Sequence, residues 1–431
     1  MLAALPALAP PGPAAGLAVA DLDGDGRPEL LVLSPDAPLR AYRWTGTALR
    51  PTGPAGPVLG GVGAVAAGDL DGDGAEELYL PVPAGRADHL LKLLPAGGWL
   101  DLFADPRNRP ARGAAGGRVA AALDRRGDGR FGFVVGSDDW PLRLVELGRD
   151  GCLADLARPL ALGHVCSARG VVAGPVLGAA ADVFVTAEGG ANRFFRGRGD
   201  GTFDAADDGL ADADEHGRGA AVVDAGGAAG LCWANWDGPH RLAAPVGGGW
   251  RDRASPAFAL PSAGRAVVVA DLDNDGFEEL FVLQHGEPNR LFRLVPGDDG
   301  LSVVRLDAGA AADFDATSAV VMDVNRDGVP ELLLAGPGGV GVFGTRAAGG
   351  WLRLLPRTRF GAPARGASVR ARVNGRDVLR VIDGGAHEPV AHVGRGGGVV
   401  EWVTVTWPDG AALTLRDPDA DCTYEVPYPT G

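Results

Sequence analysis

The sequence has 431 residues, a length that suits either several compact domains or one long repeat fold. Apolar residues make up 46% of it and charged residues 22%, which excludes a disordered polymer, while 69 glycines and 33 prolines without a collagen-like period indicate many turns between short strands. The formal net charge of −15 excludes nucleic acid or an anionic membrane as the main partner, because both require a basic face.

The N-terminal stretch, MLAALPALAPPGPAAG, is apolar but lacks the basic start and the full apolar core of a secretory leader. No apolar run in the sequence approaches the roughly 20 residues of a membrane-spanning helix. We therefore expect no membrane span, and this stretch alone does not predict where the protein acts.

Up to about residue 356 the sequence repeats one pattern: a short apolar run, an acidic loop that contains glycine, and a second short apolar run. The loops start at Asp21, Asp69, Asp124, Asp271 and Asp323, and two stretches near residues 171 and 219 keep the pattern without the acids. The apolar runs are short and rich in Val, Leu and Ala, which favours strands over helices. Seven units with a period near 50 residues predict an all-β fold, a seven-bladed β-propeller over residues 1–356.

Four of the loops place side-chain oxygens at positions 1, 3, 5 and 9 and glycine at position 6. These oxygens belong to Asp21, Asp23, Asp25 and Glu29; Asp69, Asp71, Asp73 and Glu77; Asp271, Asp273, Asp275 and Glu279; and Asp323, Asn325, Asp327 and Glu331. The main-chain carbonyl of position 7 is expected to add a ligand, from Arg27, Ala75, Phe277 and Val329. Because so many hard oxygen ligands suit Ca²⁺ better than Mg²⁺, the pattern predicts about four calcium sites.

Two other interpretations of the loops fit the sequence less well. An EF-hand requires a bidentate Glu at position 12, where these loops have Val32, Leu80, Val282 and Leu334. Plain Asp-Gly turns between strands explain one copy but not four copies of the same five positions. The third loop has Arg126 at position 3 and Gly132 at position 9, so no cation is expected there.

From residue 357 to residue 431, alternating Val, Arg and Ala, followed by a PDG turn, predict a separate small β domain. The four cysteines fit no zinc pattern, and the sequence leaves open whether Cys152 and Cys166 are bridged. His387, Glu388 and His392 suggest a further metal site only weakly, because no third ligand of the usual type is evident.

The DxDxDGxxE loops resemble FG-GAP/VCBS repeats, the units of integrin α-chain propellers. Segments 189–203 and 286–300 resemble the N-R-L-F…GDGTF segment of such repeats, and residues 366–410 are similar to the ASPIC/UnbV domain. The order of the two domains is that of the cartilage acidic protein family. The resemblance implies a secreted or cell-surface, calcium-stabilised scaffold with adhesion or matrix roles and no catalytic residues.

The sequence contains no GxSxG, HExxH or P-loop motif, so we expect a binding protein and not an enzyme. We expect a monomer that binds a protein or glycan partner. The alternative is a carbohydrate-binding or carbohydrate-active propeller, a lectin or a polysaccharide lyase, because propellers with similar calcium loops do both. A lectin would need aromatic and polar sets at equivalent blade positions, and no Trp recurs in that way.

Overall fold

Most strands occur in runs of four that follow one another along the chain and pair antiparallel with their neighbours. The computed structural model describes residues 1–10, 12–83, 85–206, 209–297, 301–346 and 349–429. It contains six such runs and a seventh group of three consecutive strands that an N-terminal strand completes, and these are named here units 1 to 7. Units 5 and 6 also pair with each other, because Trp236 and Gly238, at the end of the second strand of unit 5, pair with Ala263 and Ser262, at the start of the first strand of unit 6. The prediction of an all-β fold is confirmed.

The strands of units 1 to 4 are short and mostly buried, as their apolar sequences require. Unit 1 contains Gly16–Ala20, Glu29–Leu33, Arg40–Trp44 and Leu49–Thr52. Unit 2 contains Ala66–Gly68, Glu77–Leu80, His89–Leu93 and Trp99–Asp101. Unit 3 contains Gly117–Leu123, Gly132–Ser137, Arg143–Leu147 and Leu153–Asp155. Unit 4 contains Ala168–Gly174, Asp182–Ala187, Arg193–Gly197 and Phe203–Ala206.

Units 5 to 7 follow the same plan. Unit 5 contains Gly217–Asp224, Ala229–Gly238, Arg241–Val246 and Gly249–Asp252. Unit 6 contains Ser262–Ala270, Glu279–Gln284, Arg290–Val295 and Ser302–Leu306. Unit 7 contains Ser318–Met322, Glu331–Gly336 and Gly339–Gly344, and its fourth strand is Ala3–Ala4 from the N-terminal end of the chain.

The apolar core is divided between neighbouring units. Each of seven buried clusters among the described residues joins two consecutive units, and one of these clusters lies between unit 7 and unit 1. The cluster between units 4 and 5 also includes Leu379 from a C-terminal strand. In the cluster between units 7 and 1, Leu17 and Val19 of unit 1 pack with Val320 and Leu333 of unit 7. The two ends of the repeat region are therefore held together by the same kind of packing that joins its interior units.

The remaining small elements lie between and beside the units. They are the α-helical turn Arg109–Arg112, the 3₁₀ turns Pro6–Leu8, Leu102–Ala104 and Gly309–Ala311, and a two-stranded ribbon of Trp140–Pro141 and Val165–Cys166. None of the described helices is long and apolar enough to cross a membrane.

Two further sheets form the C-terminal part of the chain. Gly350–Pro356 pairs antiparallel with Ala391–Gly396 and parallel with Cys422–Val426. The other sheet has the order Arg376–Val381, Ser368–Val373, Val400–Thr406, Ala412–Arg416. The strand that ends just before the predicted boundary at residue 357 thus pairs with C-terminal strands, and residues 430–431 of the predicted domain lie outside the described residues.

Candidate metal centres

Each of the four acidic loops is closed by its first aspartate. The carboxylate at position 1 accepts the N–H of the glycine at position 6, over 2.9 Å from Gly26 to Asp21, 3.0 Å from Gly74 to Asp69, 2.9 Å from Gly276 to Asp271 and 3.0 Å from Gly328 to Asp323. These glycines have φ between +81° and +93°, a conformation that side chains disfavour. The glycine at position 6 therefore permits the turn that brings the acids together.

The glutamate at position 9 closes the other side of each loop. Its carboxylate accepts the N–H of position 2, over 3.1 Å in Leu22, 2.7 Å in Leu70, 2.8 Å in Leu272 and 2.8 Å in Val324. One oxygen of each glutamate is thereby fixed, because position 9 is also the first residue of a buried strand. The loop and the strand pair that flanks it form one rigid arrangement.

Carboxylate oxygens converge in three of the four loops. Those of Asp21, Asp23 and Asp25, those of Asp69, Asp71 and Glu77, and those of Asp271, Asp273 and Glu279 lie within 4.8 Å of one another. The seventh-unit loop forms no such group of three among the described residues. There the Asn325 side-chain amide donates to Asp327 over 3.0 Å.

Three oxygens in these groups have no hydrogen-bond partner although they are buried. They are Oδ1 of Asp21, Asp71 and Asp271. Asp21 and Asp271 are almost completely buried, and a buried carboxylate oxygen without a donor is costly. A hard cation among the converging oxygens satisfies them, so the residues present fit a calcium ion.

Burial also acts against the charges of these acids. Desolvation is the main cause that raises the pKa of position 1 to about 6 in Asp21, Asp69 and Asp323 and to about 7 in Asp271. The same cause raises the pKa of position 9 to about 7 in Glu77, about 8 in Glu279 and about 9 in Glu331. Each loop thus needs a positive charge close by to keep its carboxylates ionised near neutral pH.

Three loops receive such a charge from the third strand of their own unit. Lys92 Nζ lies 2.6 Å from Asp71, 2.7 Å from Asp73 and 2.6 Å from Glu77. Arg293 binds Asp273, Asp275 and Glu279 in the same way, and Arg43 binds Asp23, Asp25 and Glu29.

The seventh-unit loop has no base in this position. Leu332 pairs with Phe343 as Leu280 pairs with Phe292, so Gly344 takes the place of Arg293. This loop also has Asn325 where the other three have aspartate, so it has one fewer negative charge as well as one fewer positive charge.

The loop of unit 3 keeps the turn without the ligands. Asp124 accepts the N–H groups of Asp128 over 3.2 Å and Gly129 over 2.9 Å. Arg125 pairs with Glu146 over 2.5 Å, and Glu146 stands in the strand position that holds Lys92 in unit 2. In units 4 and 5, strand hairpins replace the acidic loop.

The C-terminal sheets lie against the acidic loops through four arginines. Arg357 Nη1 lies 3.4 Å from Asp21 Oδ2, Arg353 Nη1 lies 2.9 Å from Asp323 Oδ2, and Arg380 Nη2 lies 4.0 Å from Asp271 Oδ2. In loop 2, Arg365 binds Glu76 over 2.7 Å. Sequence reasoning missed these contacts, because the arginine-rich stretch that starts at residue 353 does not show which acids its members meet.

Residues 383–388 connect the C-terminal sheets to the first strands of several units. Val19 N donates to Ala386 O over 2.8 Å, Ala122 N donates to Gly384 O over 2.9 Å, and Gly384 N donates to Ala173 O over 2.8 Å. A Cβ on Gly384 would lie 1.8 Å from Ala122 O, which explains the glycine.

The two C-terminal histidines have partners other than a metal. His387 Nδ1 accepts the N–H of Val321 over 3.2 Å, and His392 Nε2 lies 2.7 Å from Asn274 Oδ1. Burial lowers the pKa of both imidazoles, which disfavours their charged forms. All four cysteines, including Cys152 and Cys166, are free thiols.

Comparisons with known proteins agree with this arrangement. Residues 8–80 match the FG-GAP-like repeat, and residues 358–431 match the family described as ASPIC and UnbV. The chain is 36% identical over 377 residues to cartilage acidic protein 1 of Homo sapiens, which covers 77% of this chain and 57% of that protein. It is 35% identical over 379 residues to the protein of the same name from Xenopus tropicalis, with 77% and 58% covered.

The chain thus spans less than three fifths of the length of the curated relatives it matches. Among solved structures, it resembles BBS1N from a crystal structure of its complex with ARL6DN, soaked with lead. The TM-score is 0.51 and the identity 12%, and the match covers 79% of this chain and 95% of the other. At this identity the likeness concerns the fold alone.

Proposed function

Since this chain belongs to the proteins that join FG-GAP-like repeats to an ASPIC and UnbV domain, we propose that it is a calcium-stabilised β-propeller scaffold that binds a partner outside the cell without catalysing a reaction. The observation that carries the proposal is the unpartnered, buried Oδ1 of Asp21 and of Asp271, each among converging carboxylates. The curated relatives are named for cartilage, which supports a role in an extracellular matrix or at a cell surface.

The proposed propeller has seven blades, one for each unit. Support comes from the apolar cluster between units 7 and 1, from Leu17 N, which donates to Ser318 Oγ over 3.2 Å, and from Ala3–Ala4, which completes unit 7. A strand from the N-terminal end that pairs within the last unit joins the two ends of a ring by backbone hydrogen bonds.

The ions would be held by positions 1, 3, 5 and 9 of the four acidic loops and by the carbonyl of position 7. Arg27 O supports the last ligand, because it accepts Arg43 Nη2 over 3.3 Å and so faces the same point as the carboxylates. In units 1, 2 and 6 the ion and the internal base compete for the same oxygens. The seventh-unit loop has no such competitor.

The ion would also hold the C-terminal sheets in place. In Asp21, Oδ2 lies near Arg357, whereas Oδ1 has no hydrogen-bond partner. In Asp271, likewise, Oδ2 lies near Arg380 and Oδ1 has no partner. One carboxylate can therefore bind the ion and the arginine at the same time. Calcium would keep these carboxylates ionised, so that Oδ2 remains an acceptor for the arginine while Oδ1 binds the ion.

Calcium titration of the purified, chelator-treated protein tests the proposal. Isothermal titration calorimetry and thermal melting are measured with Ca²⁺ and with Mg²⁺ as the control ion. We expect up to about four Ca²⁺ per chain, a higher melting temperature with Ca²⁺, and a much smaller effect of Mg²⁺. A protein that binds no Ca²⁺, or melts at the same temperature with Ca²⁺ and with chelator, would contradict the proposal.

A further inference from the structure

A cavity of about 120 Å³ lies where the first strands of units 5, 6 and 7 meet the C-terminal sheets. The first strands contribute Val222, Val269 and Val321 to its wall, and the C-terminal part of the chain contributes Ile382. Asp271, the first residue of the unit 6 loop, also reaches it. The cavity therefore combines an apolar wall with a border on a proposed calcium site.

The first strands of units 5 and 7 lead from the cavity towards solvent. In unit 5, Ala220 and Val222 are half-buried while Ala221 between them is buried, and unit 7 repeats this pattern with half-buried Ala319 and Val321. Alternate residues of a strand share one face, so this face has solvent contact over most of its length. Because the C-terminal sheets cover the ends of the strands, a small molecule approaches the cavity from their starts.

Carboxylates outnumber guanidinium groups around the cavity. Two arginines line it, Arg353 and Arg380. Five acids line it, and they are Asp224, Asp271, Glu278, Asp383 and Glu388. When Asp271 is assigned to the proposed calcium ion, four carboxylates still face the two arginines, and Arg353 is shared with a further acid, Asp323. The potential in the cavity is therefore negative, which favours a cation.

Two of these carboxylates have an oxygen that a ligand can use. Glu278 is only 7% exposed, and its Oε2 accepts the N–H of Asp224 over 2.7 Å. Its Oε1 lies 3.4 Å from Arg380 Nη1 and accepts no hydrogen bond in the described contacts. Asp383 Oδ1 accepts the N–H of Gly385 over 2.9 Å, and Oδ2 has no donor among the described residues. Neither of these two oxygens is enclosed by the protein, so both are open to the cavity.

His387 adds a hydrogen-bond donor to the same cavity. Its Nδ1 accepts the N–H of Val321 over 3.2 Å, so in the neutral imidazole the proton is on Nε2. The side chain is half-buried and lines the cavity, and in the described contacts Nε2 donates to no protein group. A ligand in the cavity thus meets two anionic acceptors and one neutral donor beside an apolar wall.

We propose that this cavity binds a small organic amine, a function that goes beyond the proposed scaffold. The ammonium group pairs with the open oxygens of Glu278 and Asp383, and the apolar body packs against the valines of the first strands. An ammonium group brings several N–H donors, which suits two carboxylates. A cavity of roughly 150 Å³ holds benzene, so one of about 120 Å³ suits a body of about five carbon atoms.

Other classes of ligand fit the cavity less well. Outside the acidic loops, no three His, Cys, Asp or Glu ligand atoms converge within 4.8 Å in the described part of the chain, so a metal ion finds too few ligands. An anion is repelled by the excess of carboxylates, and an uncharged molecule leaves that excess unbalanced. A hydroxyl on the amine is compatible with the site, because it can accept the N–H of His387 Nε2.

Saturation-transfer NMR titrations of the full chain, in excess Ca²⁺ at neutral pH, test the inference. Three probes share a branched apolar body and differ in their polar group: 3-methylbutylamine, 3-methylbutanol and 3-methylbutanoate. The fourth probe, methylamine, has the charge without the body. We expect 3-methylbutylamine to bind and each of the other three probes to bind at least tenfold more weakly.

Variants locate the site. Glu278→Gln and Asp383→Asn each remove one charge and keep an oxygen for the backbone N–H that the acid accepts, and each should weaken binding of 3-methylbutylamine at least fivefold. Val222→Phe keeps every charge but fills the cavity, and it should have an effect of the same size. Asp204→Asn, at an exposed carboxylate paired with Arg198 outside the cavity, is the matched control and should leave binding unchanged.

Three results would overturn the inference. They are binding of the alcohol or of methylamine as tight as that of 3-methylbutylamine, unchanged amine binding by Asp383→Asn, and tighter binding of 3-methylbutanoate, which would assign the cavity to anions through its arginines. Thermal melting with Ca²⁺ and with chelator, measured without amine, shows whether each variant folds. The same melting judges the proposed scaffold function, so failure of one proposal is distinguished from failure of the other.

Discussion

Substitution of Asp271 by Asn separates the effect of calcium from the effect of the loop itself. Asp271 Oδ2 accepts the N–H of Gly276 over 2.9 Å, and Oδ1 has no partner. The oxygen of an Asn side chain can replace Oδ2, whereas its NH₂ group would point at the ion and cannot bind it. Without calcium the variant also loses a buried charge whose pKa is raised to about 7, so we expect it to be at least as stable as the wild type.

With calcium the order should reverse. A site that binds only the folded state stabilises it by about 2.7 kcal/mol when the ion is a hundredfold above its dissociation constant. For a chain of 431 residues this corresponds to about 3 °C in melting temperature. The increase in melting temperature caused by calcium should therefore be about 3 °C smaller in Asp271→Asn than in the wild-type protein. It is measured by intrinsic fluorescence, once with excess CaCl₂ and once with EGTA.

Asp124→Asn is the matched control. Asp124 is buried at position 1 of the same kind of turn and accepts the N–H of Gly129 over 2.9 Å, but its loop lacks the ligands at positions 3 and 9. Because it also accepts the N–H of Asp128, the substitution should cost about 1 kcal/mol with or without calcium. An Asp271→Asn protein that gains as much from calcium as the wild type would refute the assignment of loop 6 as a metal site.

Three other substitutions probe the base, the docking arginine and a buried histidine. Lys92→Gln removes the ammonium that competes with the ion for the carboxylates of the unit 2 loop, so calorimetry should show about tenfold tighter Ca²⁺ binding there. Lys92→Arg keeps the positive charge and should not tighten binding. Weaker binding by Lys92→Gln would contradict the competition. Arg353→Gln leaves the buried Asp323 and Glu388 without their partner and should lower the free energy of unfolding, measured by chemical denaturation, by about 3–5 kcal/mol. Arg395→Gln, at a more exposed ion pair, should lower it by less than about 1 kcal/mol. Equal losses would contradict docking through Arg353. His240 accepts the N–H of Asn235, and burial lowers the pKa of its imidazole to about 4. Because the unfolded chain binds this proton more tightly, the free energy of unfolding should fall by up to about 3 kcal/mol as the pH falls from 6.5 to 4. His240→Asn should remove this part of the pH dependence, and an unchanged pH profile would contradict the assignment.

Local patterns allowed the strands and the loops to be predicted from the sequence. The turn at each acidic loop depends on residues within nine positions of each other. The structure closes each loop through its first aspartate and its position-9 glutamate, as in Asp21 and Glu29 or Asp271 and Glu279, while their predicted role as metal ligands stays a prediction. The strands around them are short apolar runs, which fix which residues are buried but not which units touch.

The internal bases required information that a single loop does not contain. Arg43 and Arg293 lie on the next strand, and whether they reach Glu29 and Glu279 depends on the register between two strands. A signal was present in the sequence, because a base follows the position-9 glutamate at nearly the same distance in three units. Comparison of the units with each other, beyond the acidic loops, would have found it.

The docking of the C-terminal sheets was beyond sequence reasoning for a physical reason. Arg357 and Asp21 are 336 residues apart, and neither periodicity nor composition specifies a contact over that distance. Yet the docking arginine and the proposed calcium ion share one carboxylate, that of Asp21, with Arg357 near Oδ2 and the proposed ion at Oδ1. Coupling of this kind is reciprocal, so a change that loosens the C-terminal sheets must weaken calcium binding by the same factor by which loss of calcium weakens their docking. If the proposed ion binds there, the affinity of an FG-GAP loop in this chain for calcium depends on a domain at the far end of the sequence.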